Sequence, residues 1–149
     1  MRRRGFTLIE VTVALAVALV LALIGVRVGR AELERREQAQ FFAALVDEWD
    51  HLRHEVLLSK QGGSLLYNQE RIQFQVVAIP PRSWVLRVPA SVILVDAEGQ
   101  PLKSGGDILM PMLPGTFTQA QKLYFRRSQG GQVTLTFNIG GGMITSSED

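Results

Sequence analysis

One carboxylate, Glu10, stands inside an apolar run from Phe6 to Val26 whose only other polar side chains are Thr7 and Thr12. Such a group costs roughly 2.5–3.5 kcal/mol near the centre of a membrane helix, and less near the interface. It persists where it reaches the headgroups or where a cation meets it. Two other sets have side chains suited to chemistry. His51 and His54 lie three apart with Asp47, Glu48 and Glu55 nearby, but the spacing matches no catalytic helix motif. The chain has no third histidine and no cysteine, so no metal and no cofactor is expected, and both imidazoles belong on a solvated polar flank. Arg126 and Arg127 follow Tyr124 and Phe125, with Arg82, Trp84 and Arg87 elsewhere. Aromatics interleaved with arginine can stack bases and hold phosphates. Adjacent residues of a strand point to opposite faces, however, so Arg126 and Arg127 make only a weak nucleic-acid candidate. No Gly-rich phosphate loop with Lys-Ser/Thr and no Ser-centred nucleophile elbow appears, and Glu10 is badly placed for a general base. The chain does not read as an enzyme.

These groups must be positioned by a chain of 149 residues, enough for one modest domain plus a long element outside its core. Hydrophobic content of 46% and charged content of 20% belong to a folded protein. The net charge of +2 is uneven. Three of the 16 basic residues are Arg2, Arg3 and Arg4, so losing the first five residues leaves 13 basic against 14 acidic. That balance excludes a global basic field for nucleic acid. The absence of cysteine excludes thiol catalysis and a disulfide framework.

Phe6 to Val26 is 21 residues long, the length of a membrane-spanning helix. Three arginines before it hold a short N-terminus in the cytoplasm, leaving the remainder outside. A secretory signal fits less well, because Arg27 and Arg30 follow the run where a small-residue cleavage site would be needed.

The stretch Gly5-Phe6-Thr7-Leu8-Ile9-Glu10-Val11 behind a short basic leader resembles the processing site of the type IV prepilin family. That family includes type IV pilins, type II secretion pseudopilins and competence pseudopilins. The resemblance implies cleavage after Gly5 by a prepilin peptidase and methylation of the new amino group on Phe6. It also implies assembly with other pseudopilins through the N-terminal helix, driven indirectly by an assembly platform protein and its ATPase. In such a bundle the Glu10 carboxylate can meet the terminal amine of a neighbour. Stranding one partner of a buried pair costs about 3–5 kcal/mol, so the pair acts as a register device.

From Ala31 to Lys60 there is no glycine or proline, and Phe41, Leu45, Trp49, Leu52 and Val56 recur at helical spacing, with Phe42 beside the first. The pattern predicts one helix from Phe6 to about Lys60, bare in its first half and packed on a head in its second. Gly25 and Gly29 at the junction are read as a weak spot in that helix. A glycine signal at Gln61-Gly62-Gly63 ends it.

Beyond that, period two takes over. Strands are predicted at 71–77, 84–88, 91–95 and 143–145, with a turn at 97–100 and a hairpin of 122–127 with 132–139. Pro80-Pro81 marks an edge or corner, and 102–117 is read as an apolar loop packed on its own sheet. A long helix on five or six antiparallel strands is an α+β head, with one sheet face covering the helix stripe. The divisions are a leader at 1–5, a transmembrane and filament-core helix at 6–26, an amphipathic helix at 27–60 and a β head at 61–149.

The closing stretch Phe-Asn-Ile-Gly-Gly-Gly-Met-Ile and the aromatic-rich helix resemble the minor competence pseudopilins of Gram-positive bacteria. This implies a subunit held in the cell membrane before assembly and at the cell surface afterwards, serving uptake of external DNA in transformation and touching DNA only indirectly. The alternatives are a type II secretion pseudopilin, a minor pilin whose head itself binds DNA, and an unprocessed single-span anchor.

Overall fold

The computed structural model describes residues 8–102, 108–113, 121–128, 130–138 and 144–148. Two compact units divide the chain, Met1–Arg36 and Glu37–Asp149. Helix α1 runs from Leu8 to Ser59. Its predicted stripe is the buried one: Phe41, Leu45, Trp49, Leu52 and Val56 are all at most 5% exposed. Gln38 extends it by one turn and donates from Nε2 to the Ser91 carbonyl at 3.1 Å, which satisfies an otherwise costly buried amide.

The helix stops without a glycine in the left-handed position. Lys60 takes that conformation instead, at φ 54°. Ser59 Oγ donates to the Val56 carbonyl and accepts from Gln61 N–H, covering two groups at the open end. The glycines beyond serve another purpose. A Cβ on Gly63 would lie 2.6 Å from Val56 Cγ2 and 2.9 Å from the Gln75 carbonyl oxygen. Gly63 therefore begins strand β1 (Gly63–Tyr67), pressed between the helix and its neighbouring strand.

The strands that follow are β2 (Arg71–Val76), β3 (Arg82–Arg87), β4 (Val92–Val95), β5 (Ile108–Met112), β6 (Gln121–Arg127), β7 (Gln132–Phe137) and β8 (Ile144–Glu148). They do not form the single sheet expected from the sequence. Among the described residues there are two four-stranded antiparallel sheets, ordered β3-β2-β1-β5 and β4-β6-β7-β8. The α+β class and the helix-on-sheet packing stand as read.

Strand β5 corrects the reading of 102–117 as a loop. Its five residues pair with β1, with Leu65 opposite Met110 and Ser64 opposite Pro111. Proline is tolerated there because β5 is the edge of its sheet. Pro80 and Pro81 occupy the corner between β2 and β3, as their sequence position implied. The β6–β7 hairpin has Phe125 opposite Val133 and Leu123 opposite Leu135, and its turn carries Gly130 and Gly131 at φ 94° and 87°.

Both sheets feed one core. Leu65, Phe74 and Met110 enter from the first sheet, and Leu94, Phe125, Leu135 and Phe137 from the second. Trp49 meets Phe137 edge-on at 4.5 Å between centroids, and Phe42 meets Phe125 at 5.4 Å. Such pairs add about 0.5–1.5 kcal/mol beyond their area burial.

Candidate functional site

Glu10 lies in the first described turn of helix α1. Gly5 and Phe6, the expected cleavage and methylation positions, lie outside the described residues. Thr12 turns its hydroxyl back onto the Ile9 carbonyl at 2.9 Å, which removes one polar group from the surface of an apolar helix. From Leu8 to Leu33 every residue is exposed within this chain. Leu15, Leu19 and Leu23 are each at least 60% exposed, and none of the most apolar 18-residue window, with mean hydropathy 2.7, is buried. In water that surface would cost about 25 cal/mol for each Å² left uncovered. Its length and composition suffice to cross a membrane.

A side chain on Gly25 or Gly29 would meet no atom within 4 Å. Neither glycine is needed for packing among the described residues. Arg27 and Arg30 follow, and then Glu32 accepts from Arg36 Nε at 2.8 Å. That hydrogen bond, reinforced by the guanidinium charge, holds the Glu32 carboxyl below its usual range.

The other predicted residues do not converge. Arg126 is exposed on the outer side of β6 and donates from Nη1 to the Gly99 carbonyl at 3.3 Å. Arg127 turns the other way, half-buried, with its guanidinium 5.8 Å from the centre of the Phe42 ring. The side chains sharing the outer side with Arg126 are Lys122 and Tyr124, a grouping that strict alternation along the strand shows once its register is known. The adjoining turn places Asp96 and Glu98 close by, with Asp96 Oδ1 accepting from Glu98 and Gln100 N–H.

His51 is exposed but not merely solvated. Its ring stacks on Trp84 at 4.8 Å, with Nδ1 3.7 Å from Glu48 and Nε2 3.9 Å from Glu55. Glu55 also accepts from Arg82 at 2.9 Å. His54 is exposed, and no cluster of three metal-ligating residues occurs among the described residues.

One segment of the chain matches a known family model. Residues 1–26 match the family model of the prokaryotic N-terminal methylation motif. The segment is thus type IV prepilin-like, and it holds Gly5, Phe6 and Glu10 together with most of the exposed apolar run. No curated protein and no solved structure matches the chain.

Proposed function

We propose that this chain is a minor pseudopilin of a type IV pilus-like filament that serves uptake of external DNA. One observation carries the reading: the N-terminal methylation motif at residues 1–26 takes in the start of a helix whose most apolar 18-residue window has no buried residue among the described residues. A prepilin peptidase cuts after Gly5, Phe6 becomes the methylated terminus, and the helix waits in the membrane with the head outside. Assembly moves that helix into a bundle of neighbouring helices, where Glu10 receives a terminal amine. The assembly platform and its ATPase act on the subunit indirectly.

Mass measurement of the mature N-terminus tests the processing: methyl-Phe6 as first residue is expected, and a retained arginine leader leaves only a tethered surface domain. A deletion strain tests the system. Loss of transformation with normal exoprotein secretion is expected, and the reverse result assigns the subunit to type II secretion.

A further inference from the structure

One end of the second compact unit is apolar and exposed. Helix α1 stops there, and its last turn carries Leu57 and Leu58, each more than half exposed. Gly62 follows the helix, and its carbonyl accepts from Val77 N–H at 2.8 Å, which brings the turn between β2 and β3 to the same place. In that turn Val77 is 63% exposed and Ile79 95%. Leu113, also exposed, follows Met112, which stands opposite Gly63. An exposed apolar area of this kind marks a contact with something outside the chain.

Two features point to what that something is. The first is the backbone of the turn. Pro80 and Pro81 have no N–H, and those of Val77 and Ala78 are already bonded, the latter to the Val76 carbonyl at 2.9 Å. Lipid tails, unlike a protein partner, offer no acceptor to a free N–H, and this turn has almost none to leave stranded. The second is charge. Lys60 follows the last helical turn, exposed, and Arg82 follows Pro81. Glu55 accepts from Arg82 at 2.9 Å and offsets part of its charge. From Val56 to Val95 the only acidic residue is Glu70, at the other end of β2. Apolar side chains beside cations suit the boundary of a bilayer with anionic headgroups, where a lysine stem lies along the apolar zone and its ammonium group reaches phosphate.

We infer that this end of the unit docks on the outer surface of the anionic bilayer that anchors the apolar run, with Leu58, Val77 and Ile79 in the acyl boundary and Lys60 on the headgroups. The inference rests on the membrane anchoring proposed above and adds to it where the head is held before assembly. A tethered subunit sees lipid at a high effective concentration, so a contact too weak to recruit a free protein is still occupied. The pose requires α1 to turn near the end of the apolar run, where Gly25 and Gly29 lower helix propensity and an added Cβ would touch nothing. Extraction into a filament then frees the head as well as the helix.

The chain has no cysteine, so a single introduced one carries a polarity-sensitive dye at a known place. Full-length Leu58→Cys is labelled and reconstituted, head outward, in vesicles of phosphatidylglycerol and phosphatidylethanolamine. Its emission should be blue-shifted and its quenching by acrylamide roughly threefold weaker than in phosphatidylcholine vesicles. A label at the exposed Thr145→Cys, on β8, should be quenched equally in both. Val77→Asp with Ile79→Asp should return the Leu58→Cys label to the quenching seen in phosphatidylcholine; both sites are exposed, so thermal unfolding should hardly change. Lys60→Glu should remove most of the dependence on anionic lipid. Equal quenching of the Leu58→Cys label in the two lipids overturns the inference. So does protection that grows with protein density, which assigns the surface to a second copy, and so does protection that appears only when protein-free vesicles are added, which assigns it to a separate bilayer. A chain recovered with its leader intact sinks the filament reading instead, and dye protection in that chain still supports the docking.

Discussion

Gln69 and Leu94 are joined by a two-way hydrogen-bond pair. The Gln69 amide donates from Nε2 to the Leu94 carbonyl at 2.5 Å, and its Oε1 accepts from Leu94 N–H at 3.2 Å. The same Nε2 reaches the Leu102 carbonyl at 3.1 Å. Gln69 lies between β1 and β2, while Leu94 is in β4, so one side chain stands in for a missing strand and links the two sheets.

Loss of that link strands backbone groups in a partly buried place. Gln69→Ala should destabilise the folded chain by about 2–3 kcal/mol, because at least one donor or acceptor of β4 loses its partner. Urea unfolding of the full chain in detergent, followed by tryptophan fluorescence, measures this. A change indistinguishable from that of an exposed control such as Gln40→Ala would remove the linking role.

Glu10→Ala separates processing from assembly. Cleavage after Gly5 should proceed, since peptidase recognition precedes any helix–helix contact. Incorporation should fall to background, because a neighbour's amine is then left without its carboxylate at a cost of about 3–5 kcal/mol. Immunoblots of sheared filaments against whole membranes give the ratio, and normal incorporation would refute the pairing.

Tyr67 provides a pH prediction. Burial pushes its phenol above the ordinary value of 10.0. A group raised in the folded state contributes stability that is complete below the unfolded value and disappears as pH rises through the folded one. The chain should therefore lose stability above about pH 10, and Tyr67→Phe should lessen that alkaline loss. Unfolding midpoints collected from pH 8 to 11 decide it; parallel curves for the two proteins would assign the loss to other groups.

Pro111 gives a prediction about the sheet edge. It denies one N–H to any strand that might add beside β5. Pro111→Val should change stability by no more than about 0.5 kcal/mol, as for an exposed site, yet raise aggregation of the folded head. Light scattering at matched concentration tests it, and unchanged scattering would show that other features guard this edge.

The helix stripe from Phe41 to Val56 was legible because burial on one side of a helix imposes a 3.6-residue period that few other structures produce. The β6–β7 hairpin was legible for a similar reason, with Val133, Leu135 and Phe137 alternating against threonines beside a glycine turn. β1 was not, because Gly62 and Gly63 served as the helix stop and the close approach of Gly63 to Val56 depends on tertiary packing. β5 was hidden by Pro111, which argues against a strand unless the edge position is known. The two sheets are bridged by a glutamine side chain acting as backbone, and no periodicity encodes that. At the candidate site, the type and order of residues 5–10 carried the reading. Arg126 and Arg127 had to diverge once β6 was recognised, but their separate surroundings, Gly99 for one and Phe42 for the other, come only from the register of distant segments.

Every leucine and valine of the first compact unit is exposed. For the proposed subunit this bears on the work of export. In the proposed filament the apolar run from Leu8 to Val26 would exchange lipid tails for the flanks of sister helices, two surroundings of similar polarity, so its greasy bulk would add little to the thermodynamic difference between the two places. On that proposal the direction of travel would rest with the few charges of the segment, Glu10 among them, and with the motor, and a subunit held in the bilayer would be drawn on or returned without refolding.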